Sequence, residues 1–94
     1  MLTYNQRRFF ELLEQCPWLL PYWDKEKREY KPHEIQEAMP AWSSGEQIMA
    51  IFFISLWKNK QVEDYHLDVF KAASVLDSSN RQIIADWFAD PFYP

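Results

Sequence analysis

The stretch Ile48–Trp57, IMAIFFISLW, decides the fold of this 94-residue chain because it is apolar nearly all round. A helix without a polar face has to be enclosed by other elements. Just before it, Ser44 and Gln47 have the spacing of a capping box, in which each side chain satisfies a backbone N–H at the start of a helix. The sequence therefore predicts a helix over about residues 45–58, wrapped by the rest of the chain.

Two helices are predicted before this central helix. Thr3 and Gln6 repeat the capping-box spacing, and the apolar residues that follow recur at i, i+3, i+4 and i+7, which predicts a helix over about residues 4–16. Pro32 suits a first helical position, and the residues behind it predict a short helix that ends before Pro40. The central helix therefore has two predicted neighbours on its N-terminal side.

Two more helices are predicted after it. Asn59 is well placed to end the central helix, and Asp64 is well placed to cap a helix over about residues 65–76. A polar turn then restarts a final helix over about residues 79–89. The apolar residues expected to face the core are Leu67, Val69, Phe70, Ala73 and Leu76 in the first of these helices and Ile83, Ile84, Trp87 and Phe88 in the second.

The segments that link the first two helices are aromatic and then charged. Residues 17–23 carry two Trp and one Tyr between prolines, which predicts an extended or single-turn connector laid across the core. Residues 24–31 are dense in charges of both signs, which predicts a solvated loop or a short exposed helix. A small β element around residues 29–31 is the main departure from a helical fold that we expect.

Glycine usage supports a helical fold class. One glycine in 94 residues argues against a hairpin-rich β fold, because tight hairpin turns usually need residues with positive φ. Apolar residues also recur at helical spacing rather than in alternation. We predict an all-α fold in a single domain over residues 1–94, a compact bundle of four main helices plus one short helix around the central apolar helix.

Cysteine count and apolar run length bear on the compartment. The single cysteine, Cys16, allows no intrachain disulfide, which favours a reducing compartment, and we expect a cytoplasmic protein. Cys16 lies on the apolar stripe of the first predicted helix, so we expect a buried and inert thiol. The longest uninterrupted apolar run, Ile48–Ile54, is too short for a membrane span, so no membrane partner is predicted.

Few side chains suggest catalysis. Glu63 and His66 have the Glu-x-x-His spacing of di-iron carboxylate bundles, but only one copy exists and it straddles a predicted helix start. His33 pairs with Glu37 at i, i+4, yet one imidazole cannot build a transition-metal site without further ligands. We therefore predict no catalytic, cofactor or metal residues. The alternative left open is a small metal-assisted or acid/base enzyme that uses His33 or His66 with neighbouring carboxylates.

The acidic excess of the chain lies in its last third. Residues 61–94 hold six acidic residues against two basic ones, whereas residues 1–60 hold eight of each. Asp64 with Asp68, and Asp86 with Asp90, are i, i+4 pairs that are each expected to share a helix face. Such a surface repels phosphates, which argues against nucleic-acid binding, and attracts a basic protein partner. The other interpretation is an ordinary solubility charge.

The aromatic content exceeds what a small core needs. Seventeen aromatic residues (five Trp, five Tyr, seven Phe) compete with the aliphatic residues for buried positions, so some are expected at the surface, where Trp and Tyr commonly anchor partners. The alternative is that the aromatic segments fold back as lids over helix ends. The predicted partner-binding residues are Trp18, Tyr22, Trp23, Asp86, Asp90, Phe92 and Tyr93.

The sequence thus favours a small non-enzymatic protein-binding module without a cofactor. It would dock an aromatic and acidic surface onto a partner protein, and an acidic inhibitor or immunity-type protein that occludes a basic partner is the sharpest version. Besides the enzyme, the alternatives are a structural subunit of a larger assembly and a homo-oligomer that associates through the same aromatic residues.

Overall fold

The computed structural model describes residues 1–62 and 64–94, and it confirms a mostly helical fold. The arrangement as a bundle of four main helices and one short helix stays a prediction. In chain order the elements are α1 (Tyr4–Leu13), a first 3-10 helix (Pro17–Tyr22), β1 (Trp23–Asp24), β2 (Glu29–Tyr30), α2 (Pro32–Ala38), a second 3-10 helix (Met39–Ala41), α3 (Ser44–Lys58), α4 (Val69–Val75) and α5 (Ser78–Ala89).

Helix α3 is the predicted central helix, and its cap lies one residue earlier than predicted. The Ser43 hydroxyl accepts from the Glu46 N–H at 3.2 Å, and Glu46 Oε1 accepts from the Ser43 N–H at 2.8 Å. The predicted capping pair, Ser44 with Gln47, is therefore wrong. Gln47 instead donates its side-chain amide to the Met39 carbonyl at 2.9 Å, which ties the preceding 3-10 helix to the start of α3.

The burial of α3 confirms the prediction drawn from its apolar sequence. It contributes more core residues than any other described element, as a helix without a polar face requires. Asn59 ends it in the left-handed conformation at φ 60°, as predicted for a C-cap. The buried residues of α3 are Ile48, Met49, Ala50, Phe52, Phe53, Ile54 and Leu56.

Helix α1 starts as predicted and ends earlier. The Thr3 and Gln6 capping box is present in both directions. The helix stops at Leu13 instead of residue 16, because the chain tightens into i, i+3 turns in which the Cys16 N–H donates to the Leu13 carbonyl at 2.8 Å. Pro17 disfavours an α conformation at the residue before it and opens the first 3-10 helix.

The charged segment after the first 3-10 helix belongs to a small antiparallel hairpin, in which residues 25–28 form an exposed turn and the β element considered around residues 29–31 is present as β2, whereas the alternative of an exposed helix is wrong. Trp23 pairs with Tyr30 and Asp24 with Glu29. The Asp24 carboxylate accepts from two backbone N–H groups in the turn, and Arg28 takes the left-handed conformation at φ 55°. An Asx-type turn of this kind reverses a chain without glycine.

Helix α4 is shorter than predicted and is capped by a different carboxylate. Asp68 Oδ1 accepts from the N–H groups of Phe70 and Lys71 at 3.0 and 3.1 Å, whereas Asp64 lies outside the helix. Tyr65 pairs with Val62 in an isolated antiparallel bridge and residues 66–68 are not helical, so the helix does not begin at residue 65. The predicted helical face shared by Asp64 and Asp68 is therefore wrong.

Helix α5 matches its predicted range closely. Asp77 caps it, because its Oδ1 accepts from the Asn80 N–H at 2.8 Å, and the helix begins one residue earlier than predicted. Among the residues that the structure describes, none of the helices combines the length and the apolarity that a membrane-spanning segment needs.

Candidate functional site

The aromatic residues around the first 3-10 helix close over the core. Trp23 is buried, with its ring centroid 5.5 Å from that of Phe9. Trp18 and Tyr22 are half-buried, and both pack edge-on against Trp42 at centroid distances of 5.1 and 5.4 Å. The expectation of an exposed aromatic segment is therefore wrong for Trp23, and the fold-back alternative describes this segment.

The C-terminal segment is fastened to α1. Phe92 is buried beneath the Arg8 guanidinium, whose carbon lies 4.4 Å from the ring centroid, so the expectation of an exposed Phe92 is wrong. The Trp87 indole N–H donates to the Phe92 carbonyl at 2.8 Å, and the Asn5 side-chain amide donates to the Tyr93 carbonyl at 3.3 Å. The Tyr93 side chain stays 59% exposed.

The predicted acidic residues of α5 lie toward α1. Asp86 is exposed, accepts from the Gln82 side-chain amide at 2.7 Å and lines a shallow depression that Arg8 also lines. Asp90 accepts from the Arg8 guanidinium at 3.1 Å, so part of its charge is offset. The structure thus brings Asp86, Asp90 and Phe92 together beside α1, and leaves Trp18, Tyr22 and Trp23 elsewhere.

The apolar residues of α4 and α5 are less buried than predicted. Phe70 is 85%, Phe88 is 69% and Val69 is 57% exposed, so the expectation that they face the core is wrong. On α5 the apolar stripe is wide: Ile83 is buried, and Ile84 and Trp87 are half-buried and pack against the core. Phe88, the last residue of the stripe, faces solvent.

A groove of about 400 Å³ runs between α4 and α5. Each wall has four lining residues at i, i+3, i+4 and i+7, and on α5 this is the spacing of a single helix face. Alanines occupy the middle of each wall and larger side chains the ends, so the space between the two helices is left open. The wall residues are Val69, Ala72 and Ala73 on α4 with Leu76 directly after it, and Arg81, Ile84, Ala85 and Phe88 on α5.

A second depression of about 310 Å³ continues this groove toward the end of α3 and the C-terminal segment. The two depressions share four lining residues and therefore lie side by side, and we call the pair the apolar groove. The shared residues are Leu67, Val69, Ile84 and Phe88, and the second depression adds Phe52, Ser55, Leu56, Asn59, Lys60, Gln61, Trp87 and Tyr93. Of the predicted partner-binding residues, only Tyr93 lines it within the described part of the chain.

Two cations lie toward opposite ends of the apolar groove, because each lines one depression outside the residues that the two depressions share. Arg81 lines only the first depression and Lys60 only the second. The Arg81 guanidinium is positioned by a hydrogen bond to the Leu76 carbonyl at 2.9 Å. No carboxylate is among the described lining residues of either depression. In the floor of the second depression, the buried Ser55 hydroxyl has no hydrogen-bond partner among the described residues.

The residues considered for catalysis lie apart from this groove. His33 and His66 are both exposed, and Glu63 lies outside the described residues. Within residues 1–62 and 64–94, no group of three or more His, Cys, Asp or Glu side chains is placed to hold a metal ion.

The Cys16 thiol is buried, as predicted. Burial raises the pKa of Cys16 to about 11, and the nearby Glu46 and Asp77 carboxylates add to the increase, against a hydrogen bond with Trp18 that lowers the pKa. Burial, rather than a helix terminus, is therefore what keeps the thiol protonated, since Cys16 lies beyond the end of α1.

Comparisons of this chain with protein-family models, with curated proteins and with solved structures found no match.

Proposed function

We propose that this chain is a non-enzymatic protein-binding module that docks its apolar groove onto a partner protein. The observation that carries the proposal is the exposure of Phe88 and Val69, which line both of the adjoining apolar depressions. Contiguous exposed apolar surface is unusual on a monomer and commonly marks an interaction site. Covering a side chain such as Phe88 contributes roughly 1.5–3 kcal/mol, which a partner would gain on binding.

The character of the lining supports a protein partner rather than a small molecule. Small-molecule sites are concave and place a few polar groups to orient the ligand. The walls of the apolar groove are built mainly from Val, Leu, Ile, Ala and Phe side chains, and its polar residues Asn59, Lys60, Gln61 and Arg81 are exposed rather than enclosed around a ligand. Shallow apolar channels between helices are the surfaces on which helical segments of other proteins dock.

The acidic surface predicted from the sequence is a separate feature. Asp86 on α5 and Asp90 directly after it lie on the side toward α1, and the charged residues among the described lining of the groove are Lys60 and Arg81. The prediction of a basic partner, and with it the inhibitor or immunity-type version, therefore does not extend to the groove.

Two substitutions on the same helix test the proposal. Phe88→Ser removes an exposed aromatic ring from the wall of the groove, while Asp86→Ser changes a residue that is also exposed but lies on the other side of α5. The tagged chain and both variants are used to capture proteins from a lysate of the source cells. Each protein that depends on residue 88 is then purified, and its affinity is measured by titration calorimetry.

We expect Phe88→Ser to weaken binding about tenfold or more and Asp86→Ser to leave it unchanged, because truncating a central aromatic anchor costs more than 1 kcal/mol and a rim charge costs little. Equal affinity for all three chains would show that the groove is not the docking surface. A purified partner whose binding is lost with Asp86→Ser and kept with Phe88→Ser would move the site to the acidic side.

A further inference from the structure

We infer that the occupant of the apolar groove is an amphipathic α-helix of another protein that carries an apolar stripe at i, i+3, i+4 and i+7 and acidic side chains at both ends. This inference rests on the proposed function and adds the shape and charge of the partner. The expected shape of the partner follows from the two walls of the groove, and its expected charge follows from the two cations Arg81 and Lys60.

The walls have the geometry of a helix-packing surface. Helices α4 and α5 each present one face at i, i+3, i+4 and i+7, with Ala72, Ala73 and Ala85 in the middle. Small side chains on facing helices leave room for the large side chains of a third rod. Along α5 the lining runs from Arg81 to Phe88, seven residues or about 10 Å, which is also the distance from i to i+7 on a docked helix.

The charged residues among the described lining of the groove are both positive. Arg81 at one end and Lys60 at the other are the charged residues among the described lining, and no described carboxylate lies between them. An Arg guanidinium binds a carboxylate through two parallel hydrogen bonds, and a Lys ammonium binds it as a point charge. Acidic residues at both ends of an apolar stripe are therefore the complementary pattern, and they would set the position of the helix along the groove.

A second copy of this chain fits the groove less well. A symmetric dimer formed face to face has its two-fold axis in the plane of the interface. If the axis runs along the groove, Arg81 meets Arg81 of the other copy, and if it runs across the groove, Arg81 meets Lys60 of the other copy. Either orientation places cations against cations, which opposes association.

Three labelled peptides of about fourteen residues, each stapled so that all are equally helical, test the inference with the intact chain. The first has leucines at i, i+3, i+4 and i+7 and glutamates at both ends. The second has lysines at the ends, and the third has the first composition with its leucines scattered around the helix. Binding is followed by fluorescence anisotropy at low and high salt, and circular dichroism verifies the helicity of each peptide.

We expect the glutamate-ended peptide to bind about fivefold more tightly than the lysine-ended one at low salt, with the difference shrinking as salt rises. The scattered peptide should not bind. Phe88→Ser should abolish binding of the first peptide, and Asp86→Ser should not change it. Arg81→Gln should reduce the preference for glutamate ends, and Arg81→Lys should restore most of it.

Failure of this inference is distinguishable from failure of the proposed function. Equal or tighter binding of the lysine-ended peptide would contradict the inference that the partner helix has acidic ends. Binding of the scattered peptide, or a failure of all three peptides to bind, would contradict the inference that the partner is an amphipathic helix. Benzoylphenylalanine introduced at position 88 can be cross-linked to a partner whose capture depends on Phe88. If the cross-linked segment of that partner is not helical, the inference of a helical occupant is wrong and the proposed function still holds. Dimerisation in sedimentation equilibrium that Phe88→Ser abolishes would assign the groove to a second copy and overturn it as well.

Discussion

The guanidinium of Arg8 covers the buried ring of Phe92 at 4.4 Å, which joins the end of the chain to its first helix. We predict that Arg8→Ala lowers the free energy of unfolding by about 1–2 kcal/mol, because it removes a cation–π contact and uncovers the ring. Arg8→Lys should retain part of this stabilisation, since an ammonium keeps the charge but lacks the flat surface of a guanidinium that stacks on the ring. Urea denaturation monitored by Trp fluorescence measures all three chains.

Asp90→Asn is the control for the ion pair that accompanies this contact. The Asp90 side chain is 80% exposed, so its pairing with Arg8 is screened by solvent and contributes only a few tenths of a kcal/mol. A loss with Asp90→Asn as large as that with Arg8→Ala would mean that the ion pair, and not the contact with Phe92, fastens the C-terminal segment.

The start of α3 gives a prediction that depends on a single position. Ser43→Ala should destabilise the fold by about 1 kcal/mol, because the Ser43 hydroxyl accepts from the Glu46 N–H, whereas Ser44→Ala should be nearly neutral. Thermal unfolding by circular dichroism compares the two variants. The reverse order would restore the capping pair predicted from the sequence.

The two capping boxes show which parts of the fold could be predicted from the sequence and which could not. Thr3 and Gln6 had no competing pair, and their prediction was correct. At α3, two overlapping pairs fit the same spacing, and the choice between them depends on Gln47 reaching the carbonyl of Met39 in the preceding 3-10 helix. Such a contact is tertiary, so no local pattern could have selected the pair.

The candidate site was missed for a related reason. Helical periodicity placed Ile83, Ile84, Trp87 and Phe88 on one apolar stripe, but it did not indicate that the neighbouring elements leave Phe88 at its edge uncovered. The available signal was the width itself, because two adjacent apolar pairs exceed what one packing contact buries. Together with the neighbouring alanines of α4, it would have suggested an open groove.

The buried Ser55 hydroxyl, which has no hydrogen-bond partner within residues 1–62 and 64–94, predicts a gain in stability on its removal. A buried polar group without a partner costs about 1–3 kcal/mol, so Ser55→Ala should raise the free energy of unfolding by up to about 1 kcal/mol after the small loss of packing. Ser74→Ala, whose hydroxyl is exposed and donates to the Lys71 carbonyl, serves as the matched control and should be nearly neutral. A destabilised Ser55→Ala variant would show that the hydroxyl is satisfied in solution.

The buried thiol of Cys16 predicts a loss of stability in alkali. Its pKa in the folded chain is about 11, above the ordinary value, so the unfolded chain releases this proton first as the pH rises. The contribution is fully present below the ordinary thiol pKa and is lost as the pH rises toward 11. Urea midpoints of the native chain and of Cys16→Ala between pH 8 and 11 should converge as the pH rises, and parallel curves would contradict the assignment.

Two residues of α5 separate folding from docking. Ile83 is buried and Phe88 is 69% exposed, although both belong to the same predicted stripe. We predict that Ile83→Ala lowers the free energy of unfolding by about 2–4 kcal/mol through the cavity it creates, whereas Phe88→Ala changes it by less than about 0.5 kcal/mol. Chemical denaturation of both variants measures this difference. If Phe88→Ala destabilised the chain as much as Ile83→Ala, the ring would be part of the core, and the apolar groove would be closed in solution.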